Sequence, residues 1–282
     1  FAHASCTAAL ALSIMLLTTL GKDQGGVLNT VSAALFILPY FLFSAFAGQL
    51  ADKFDKAFVA RRIKFIEIFI VGLSVLAIYS GSVPFQQFCV FLAGTQSAFF
   101  GPIKYSILPH HLEKEELLGG NGLVEMGTFV SVLLGTIFGT IAINSTGGKE
   151  LVAITMIVIA LFSYWTTRQI PDAPSAQPDL KLNWNIFGET WNVISMVQQR
   201  PEVFQAILGV SWFWLLGVVF VTQIPLFTFD SLKGSEAVAT IIFALLSVFI
   251  GVGSVFCNKL LKGTVSVKYV PLACLLMSVF MI

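Results

Sequence analysis

Two charged residues lie in or beside long apolar runs, and any ligand chemistry would centre on them. Lys104 follows Gly101-Pro102 in an otherwise apolar and aromatic string, and Glu125 sits about two turns into the next apolar run. A charge in hydrocarbon is costly, so each is by default a functional-site hypothesis. Lys104 has two readings: a cation that binds an anionic ligand, or one favoured by the negative end of its helix and snorkelling to the interface. Glu125 shares a helix face with Asn121, one turn earlier. It contacts substrate or a proton, or it forms a structural ion pair with Lys104. Gln96, flanked by Thr95 and Ser97, lines a cavity or hydrogen-bonds between helices. Thr222 and Gln223 precede Pro225, which frees a backbone carbonyl and favours a kink near a cavity. These groups bind and orient. None is a nucleophile with a base, so catalysis is not expected.

Other patterns exclude more than they suggest. His110 and His111 with Glu113, Glu115 and Glu116 have poor metal-ligand spacing. An acyl-transfer pattern needs Asp four residues beyond His, where Lys114 and Glu115 stand instead. The segment reads as a solvated loop. No GxxxxGK[ST] phosphate loop appears, so nothing points to an ATP-driven pump. Cys6, Cys89, Cys257 and Cys274 are far apart in apolar segments and read as small buried hydrophobes, not as a metal or disulfide framework. No cofactor or metal is expected. A net charge of +1 argues against nucleic acid. Only 11% of residues are charged and 56% are hydrophobic, whereas soluble domains carry roughly 25% charge. The chain is an all-α integral membrane protein.

The elements that must hold these residues follow from length. A helix needs about 20 apolar residues to cross the hydrocarbon core. That rule gives a partial leading helix (about 2–20) and spans near 28–50, 62–81, 84–108, 117–143 and 149–169. After a polar break come spans near 202–228 and 235–261 and a truncated one from about 267, eight or nine in all. A signal-peptide reading of the first run fails because further spans follow and no basic n-region accompanies it. Of the sixteen Lys and Arg, only Lys22, Lys149 and Lys233 fall in one alternate set of loops. The positive-inside rule places the richer set, including Lys53 to Lys64, in the cytoplasm. The polar break, residues 171–200, begins with PDAPSAQPD, a loop, and continues with Trp184, Phe187, Trp191 and Ile194 on one helical face. That face suits the headgroup layer.

The most charged stretch is Ala47–Lys64, and its Gly48-x-Leu50-Ala51-Asp52-Lys53-x-x-Lys56 pattern resembles the loop between helices 2 and 3 of the major facilitator superfamily. Further strings are LFILP (Leu35–Pro39), GTQSAFFGPIKYSILPHHL (Gly94–Leu112), GNGLVEMGTF (Gly120–Phe129), SWFW (Ser211–Trp214) and TQIP (Thr222–Pro225). Together they resemble the bacterial lysophospholipid transporter family, most of all the module fused to an acyltransferase and an acyl–acyl-carrier-protein synthetase. Three features depart from the pattern. The opening FAHASC lacks the family's first-helix acidic motif, Asp55 stands where the superfamily usually has Gly, and the second-half counterpart, Gly253–Lys262, has no Asp.

The resemblance implies a twelve-helix, six-plus-six fold of which this chain is a fragment: residues 1–170 as the first half, 171–200 as a cytoplasmic linker with a surface helix, and 201–282 as the start of the second half. It implies a secondary carrier in the bacterial inner membrane that moves lysophospholipid, expected to be lysophosphatidylethanolamine, inward for re-acylation. Lys104 would sense the substrate, with Glu125, Gln96, Asn121 and Gln223 beside it. Gly48, Asp52, Lys53, Lys56 and Arg61 would form the conformational group. In it Asp52 would cap the third helix as a charge latch made in one state and broken in the other, against the alternative of a solvated loop acid. A stripe of Gly127, Ser131, Gly135 and Gly139 reads as a packing surface. The rival functions are a drug or metabolite exporter and a membrane anchor for a fused acyl-transfer enzyme. The partners expected are the lysophospholipid, membrane lipids and a fused or associated acyltransferase/synthetase.

Overall fold

The computed structural model describes residues 22–143, 145–262, 264 and 266–280. Through them run α1 (Lys22–Lys53), α2 (Lys56–Ser80), α3 (Val83–Ser106), α4 (Leu108–His111), α5 (Leu117–Ile143), α6 (Gly148–Thr167), α7 (Ile186–Gln198), α8 (Pro201–Asp230), α9 (Glu236–Leu261) and α10 (Val270–Phe280). No strand occurs among the described residues. The expected leading helix lies outside them, so α1 is the second of the expected spans. The third begins six residues earlier than its apolar run suggests, at Lys56, because its basic first turns are helical too.

Six helical stretches among the described residues are long and apolar enough to cross a bilayer, from α1, α2, α5, α6, α8 and α9. The exception is α3. Its 24 residues extend about 36 Å at 1.5 Å per residue, enough for a span, yet it carries Gln86, Gln87, Gln96 and Ser97. All four are buried. A helix enclosed by other helices can be polar where it meets protein, since only lipid-facing positions must be apolar. Large apolar side chains such as Phe69, Leu134 and Phe249 instead stand exposed on the bundle's outside, as a lipid-solvated surface requires.

The packing is built on close backbone approaches. A Cβ on Gly94 of α3 would lie 2.3 Å from the Phe36 carbonyl oxygen of α1, so only glycine lets these helices meet there. The contact is pinned by Gln87, whose Nε2 donates to Ser32 Oγ at 2.9 Å while Ser32 donates to Leu28 O at 2.8 Å. Phe43 of α1 stacks on Phe99 of α3, with centroids 5.8 Å apart. Val71, Ile78, Cys89, Val90, Val152 and Met156 form the main apolar core of α2, α3 and α6. Cys89 is therefore a small buried hydrophobe as expected. Cys257 and Cys274 are exposed, contrary to expectation, because they lie on outward helix faces, where a thiol is apolar enough for lipid.

The helices before and after α7 also meet, where α5 packs on α9. A Cβ on Gly122 would lie 2.8 Å from Ser254 O, one on Gly119 would lie 3.0 Å from Asn258 Nδ2, and one on Gly251 would lie 3.3 Å from Met126 Cγ. Of the expected packing stripe, Gly135 and Gly139 are buried, but Gly127 is not part of a close approach. A Cβ on Gly127 would meet nothing within 4 Å. That residue faces a cavity, while the close approach sits one to two turns nearer the start of α5.

The polar break holds α7 as expected. Asn185 caps it, accepting from Gly188 N at 2.9 Å. Phe187 and Trp191 are 69% and 68% exposed, an aromatic face of α7 turned away from the bundle. Trp184 packs on Phe46 of α1, with centroids 5.2 Å apart, which fixes the entry of α7 against α1.

Candidate functional site

Lys104 stands in the last turn of α3, one turn beyond Phe100. Both line a cavity of about 280 Å³ between α2, α3 and α5, whose other walls include Ala60, Ile103, Leu123, Val124, Gly127 and Thr128, with Ile170 closing it. The lining is apolar apart from Lys104 and the Thr128 hydroxyl. The Lys104 ammonium lies 4.6 Å from the centroid of the Tyr105 ring, within range of a cation–π attraction. Across the groove, the Tyr105 hydroxyl donates to Glu125 Oε1. The helices thus join Lys104 and Glu125 through one tyrosine. Reading the sequence missed Tyr105; its signal was adjacency to Lys104.

The remaining expected binding residues are distributed. Asn121 is exposed, and its Nδ2 donates to Leu117 O of its own helix at 2.9 Å. Gln96 is buried two turns before Lys104 and accepts from Ser97 Oγ at 3.4 Å. Gln223 is exposed on α8. Of the five, the structure brings Lys104 and Glu125 together.

In the basic loop the helix cap is not the residue expected. Asp52 does not cap the following helix: it is exposed in the last turns of α1. The cap is Asp55, whose Oδ1 accepts from Phe58 N at 2.7 Å and whose Oδ2 accepts from Ala173 N at 2.8 Å. The chain reaches its N-cap geometry three residues later than the pattern implied, because α1 continues through Lys53. Lys56 N donates to Ala173 O at 2.9 Å, so Ala173, fully buried, is clasped on both backbone groups. Lys56 Nζ donates to Pro174 O at 3.4 Å. Arg61 Nη2 donates to Ile170 O at 2.8 Å and pairs with Asp172 at 3.2 Å. Gln177 N donates to Asp52 O at 2.9 Å, and Asn183 N donates to Gln49 Oε1 at 2.8 Å. Lys53 lies over the Phe54 ring, and Gly48 is half-buried with open space around it. The loop therefore straps down the segment between α6 and α7.

Lys64, expected among the solvated loop cations, is instead buried inside α2. Its Nζ pairs with Glu67 Oε2 at 2.7 Å, both side chains being 1% exposed, and it lies 4.5 Å from the Phe100 ring centroid. Glu67 Oε1 is buried with no hydrogen-bond partner among the described residues. The signal available was an acid three residues after a lysine, which places both on one helix face. His110 and His111 are exposed on α4, and no metal-holding cluster occurs among the described residues.

A bundle with six spans long and apolar enough to cross a bilayer and a polar helix enclosed by them defines a multi-pass, all-α membrane protein. The family model described as Major Facilitator Superfamily matches residues 1–282, and the chain belongs to that family. It is similar to the "Lysophospholipid transporter LplT" of Escherichia fergusonii, 30% identical over 196 residues, which cover 65% of this chain and 45% of the relative. The protein of the same name from Escherichia coli O7:K1 is 30% identical over 198 residues, with the same two shares. The chain spans less than half the length of these curated relatives.

Proposed function

We propose that this chain is the first half and the start of the second half of a secondary carrier for lysophospholipid, expected to be lysophosphatidylethanolamine, in a bacterial inner membrane. The basic loop and linker face the cytoplasm, and transport runs inward to feed re-acylation there, by a fused or associated acyltransferase. The observation that carries the reading is the cation, Lys104, at the wall of an otherwise mostly apolar cavity. That arrangement suits an amphiphile with one phosphate and one hydrocarbon chain better than a polyhydroxylated solute. The name carried by the similar proteins supports the same substrate class. The headgroup phosphate would meet Lys104 while the acyl chain stays against Phe100, Ile103 and Leu123, and rocking of the halves about the α5–α9 seam would change the side to which the headgroup is open.

The test is uptake of labelled lysophosphatidylethanolamine into spheroplasts that lack their own carrier, using the full-length protein with and without Lys104→Ala. The expected result is re-acylated product with the parent and a sharp drop in the variant at equal membrane level. Uptake no better than the empty vector would sink the lysophospholipid reading and favour an exporter or an anchoring module.

A further inference from the structure

We propose that the outward groove between α2 and α6 binds an anionic diacyl phospholipid of the surrounding bilayer, its phosphate between Arg62 and Arg168 and its chains on Phe65, Phe69 and Tyr164. The site is independent of what the cavity at Lys104 carries.

The register of the two helices brings the arginines together. Asp55 Oδ2 accepts from Ala173 N, Arg61 Nη2 donates to Ile170 O, and the Phe65 ring packs on Tyr164 with centroids 5.8 Å apart. Numbers rise along α2 as they fall along α6 and the residues that follow it, so the two run antiparallel. In that register Arg62 falls level with Arg168, the C-cap residue of α6. Both are exposed. The Arg62 guanidinium lies 5.0 Å from the Phe58 ring centroid, turned towards the start of its helix as long helical side chains are. Neither arginine pairs with a carboxylate among the described residues.

The neighbouring acids are already engaged. Asp172 pairs with Arg61 at 3.2 Å, and Asp55 accepts from two backbone amides. Glu67 is buried against Lys64. Lys56, Arg61, Arg62 and Arg168 therefore face only the two aspartates, and the balance is positive. The dipole of α6 favours a cation at its C-terminal end, but it does nothing to offset the repulsion of a second cation at the same level. A phosphate between the two relieves that repulsion and takes charge-assisted hydrogen bonds from both guanidinium forks.

The apolar half of the site lies one turn further along α2. Phe65 and Phe69 are exposed, with ring centroids 5.2 Å apart, and Phe65 closes the groove against Tyr164. An aromatic surface directly inside a basic rim matches a lipid with an anionic headgroup and tails in the hydrocarbon. A soluble phosphate compound would leave that surface unused.

Native mass spectrometry of the purified full-length protein tests this, with phosphatidylglycerol as the probe and phosphatidylethanolamine as its zwitterionic counterpart. Phosphatidylglycerol is expected to be held more tightly. Its affinity should fall about fivefold in Arg62→Gln or Arg168→Gln and about twenty-five-fold in the double variant, on the scale of one surface cation per step. The loss for phosphatidylethanolamine should be smaller, because its ammonium opposes the same cations. Both arginines are exposed and without a carboxylate partner, so the substitutions strand no buried charge. Lys181→Gln, at an exposed linker cation, should leave the affinity unchanged. Equal retention of the two lipids, undiminished phosphatidylglycerol binding in the double variant, or an equal loss in K181Q would each overturn the site, the last by showing a diffuse basic field. Displacement of phosphatidylglycerol by excess lysophosphatidylethanolamine would overturn it too, by placing the lipid in the cavity at Lys104.

Discussion

Gly122→Ala offers the sharpest perturbation of the α5–α9 seam. The added Cβ would sit 2.8 Å from Ser254 O, a backbone atom that no side-chain rotation can move away. The two helices must separate by several tenths of an ångström, an overpacking cost of about 1–3 kcal/mol. Alanine also improves the helix propensity of α5 by about 1 kcal/mol, but that gain applies equally whether the seam is closed or open. It drops out of the difference. If the seam opens and closes during transport, G122A shifts the equilibrium towards the open form by about 5- to 150-fold. Spin labels at Glu115 and Lys259, both exposed, on a background without the native cysteines, would report it as a longer distance population by pulsed electron resonance. Gly127→Ala is the matched control, because nothing lies within 4 Å of its Cβ position. Identical distance distributions in G122A and wild type, with only a lower melting temperature, would refute the gate and leave a static contact. An equal shift in G127A would refute the steric reasoning.

Other consequences follow from the strap and the buried pair. Asp55→Ala removes both the α2 cap and the tie to Ala173, and should cost about 1–2 kcal/mol and open residues 174–182 to protease. Asp52→Ala should do neither, in the same melting and proteolysis assays. Lys64→Met strands a buried carboxylate and should cost about 3–5 kcal/mol, whereas Lys64→Met with Glu67→Leu should recover most of that in detergent melting curves. A spin label at Phe187→Cys should collide more with oxygen than with a water-soluble nickel chelate, as expected of a helix face lying in the headgroup layer. The reverse preference would put α7 in water.

Much of this was legible because lipid imposes simple rules on a chain. Apolar runs located most spans, and the Trp184–Trp191 spacing located α7 and its outward face. Lys104 and Glu125 stood out because charge is rare in apolar runs. The sequence signal failed where a residue's role depends on a neighbour far along the chain. Asp55 and Asp52 look alike three residues apart, and only the position of Ala173, 118 residues from Asp55, decides which one clasps the linker. Lys64 reads as one more loop cation until α3 brings Phe100 over it. Gly122 and Gly127 have the same local sequence character, yet one meets Ser254 and the other a cavity, because helix rotation is set by the partner helix. The strap also gives Asp55, a departure from the superfamily's usual glycine, a structural reason: a carboxylate with two oxygens serves two backbone donors at once.

The central claim, that the protein carries a lysophospholipid across a bilayer with Lys104 on the path, is tested most directly with purified full-length protein in liposomes. Fluorescent lysophosphatidylethanolamine is loaded into the outer leaflet and the fraction that albumin no longer extracts is followed in time. The account predicts a protein-dependent rise in the protected fraction, slowed at least tenfold by Lys104→Ala, the loss of one charge-assisted contact. A protected fraction that grows no faster than in protein-free liposomes would contradict it.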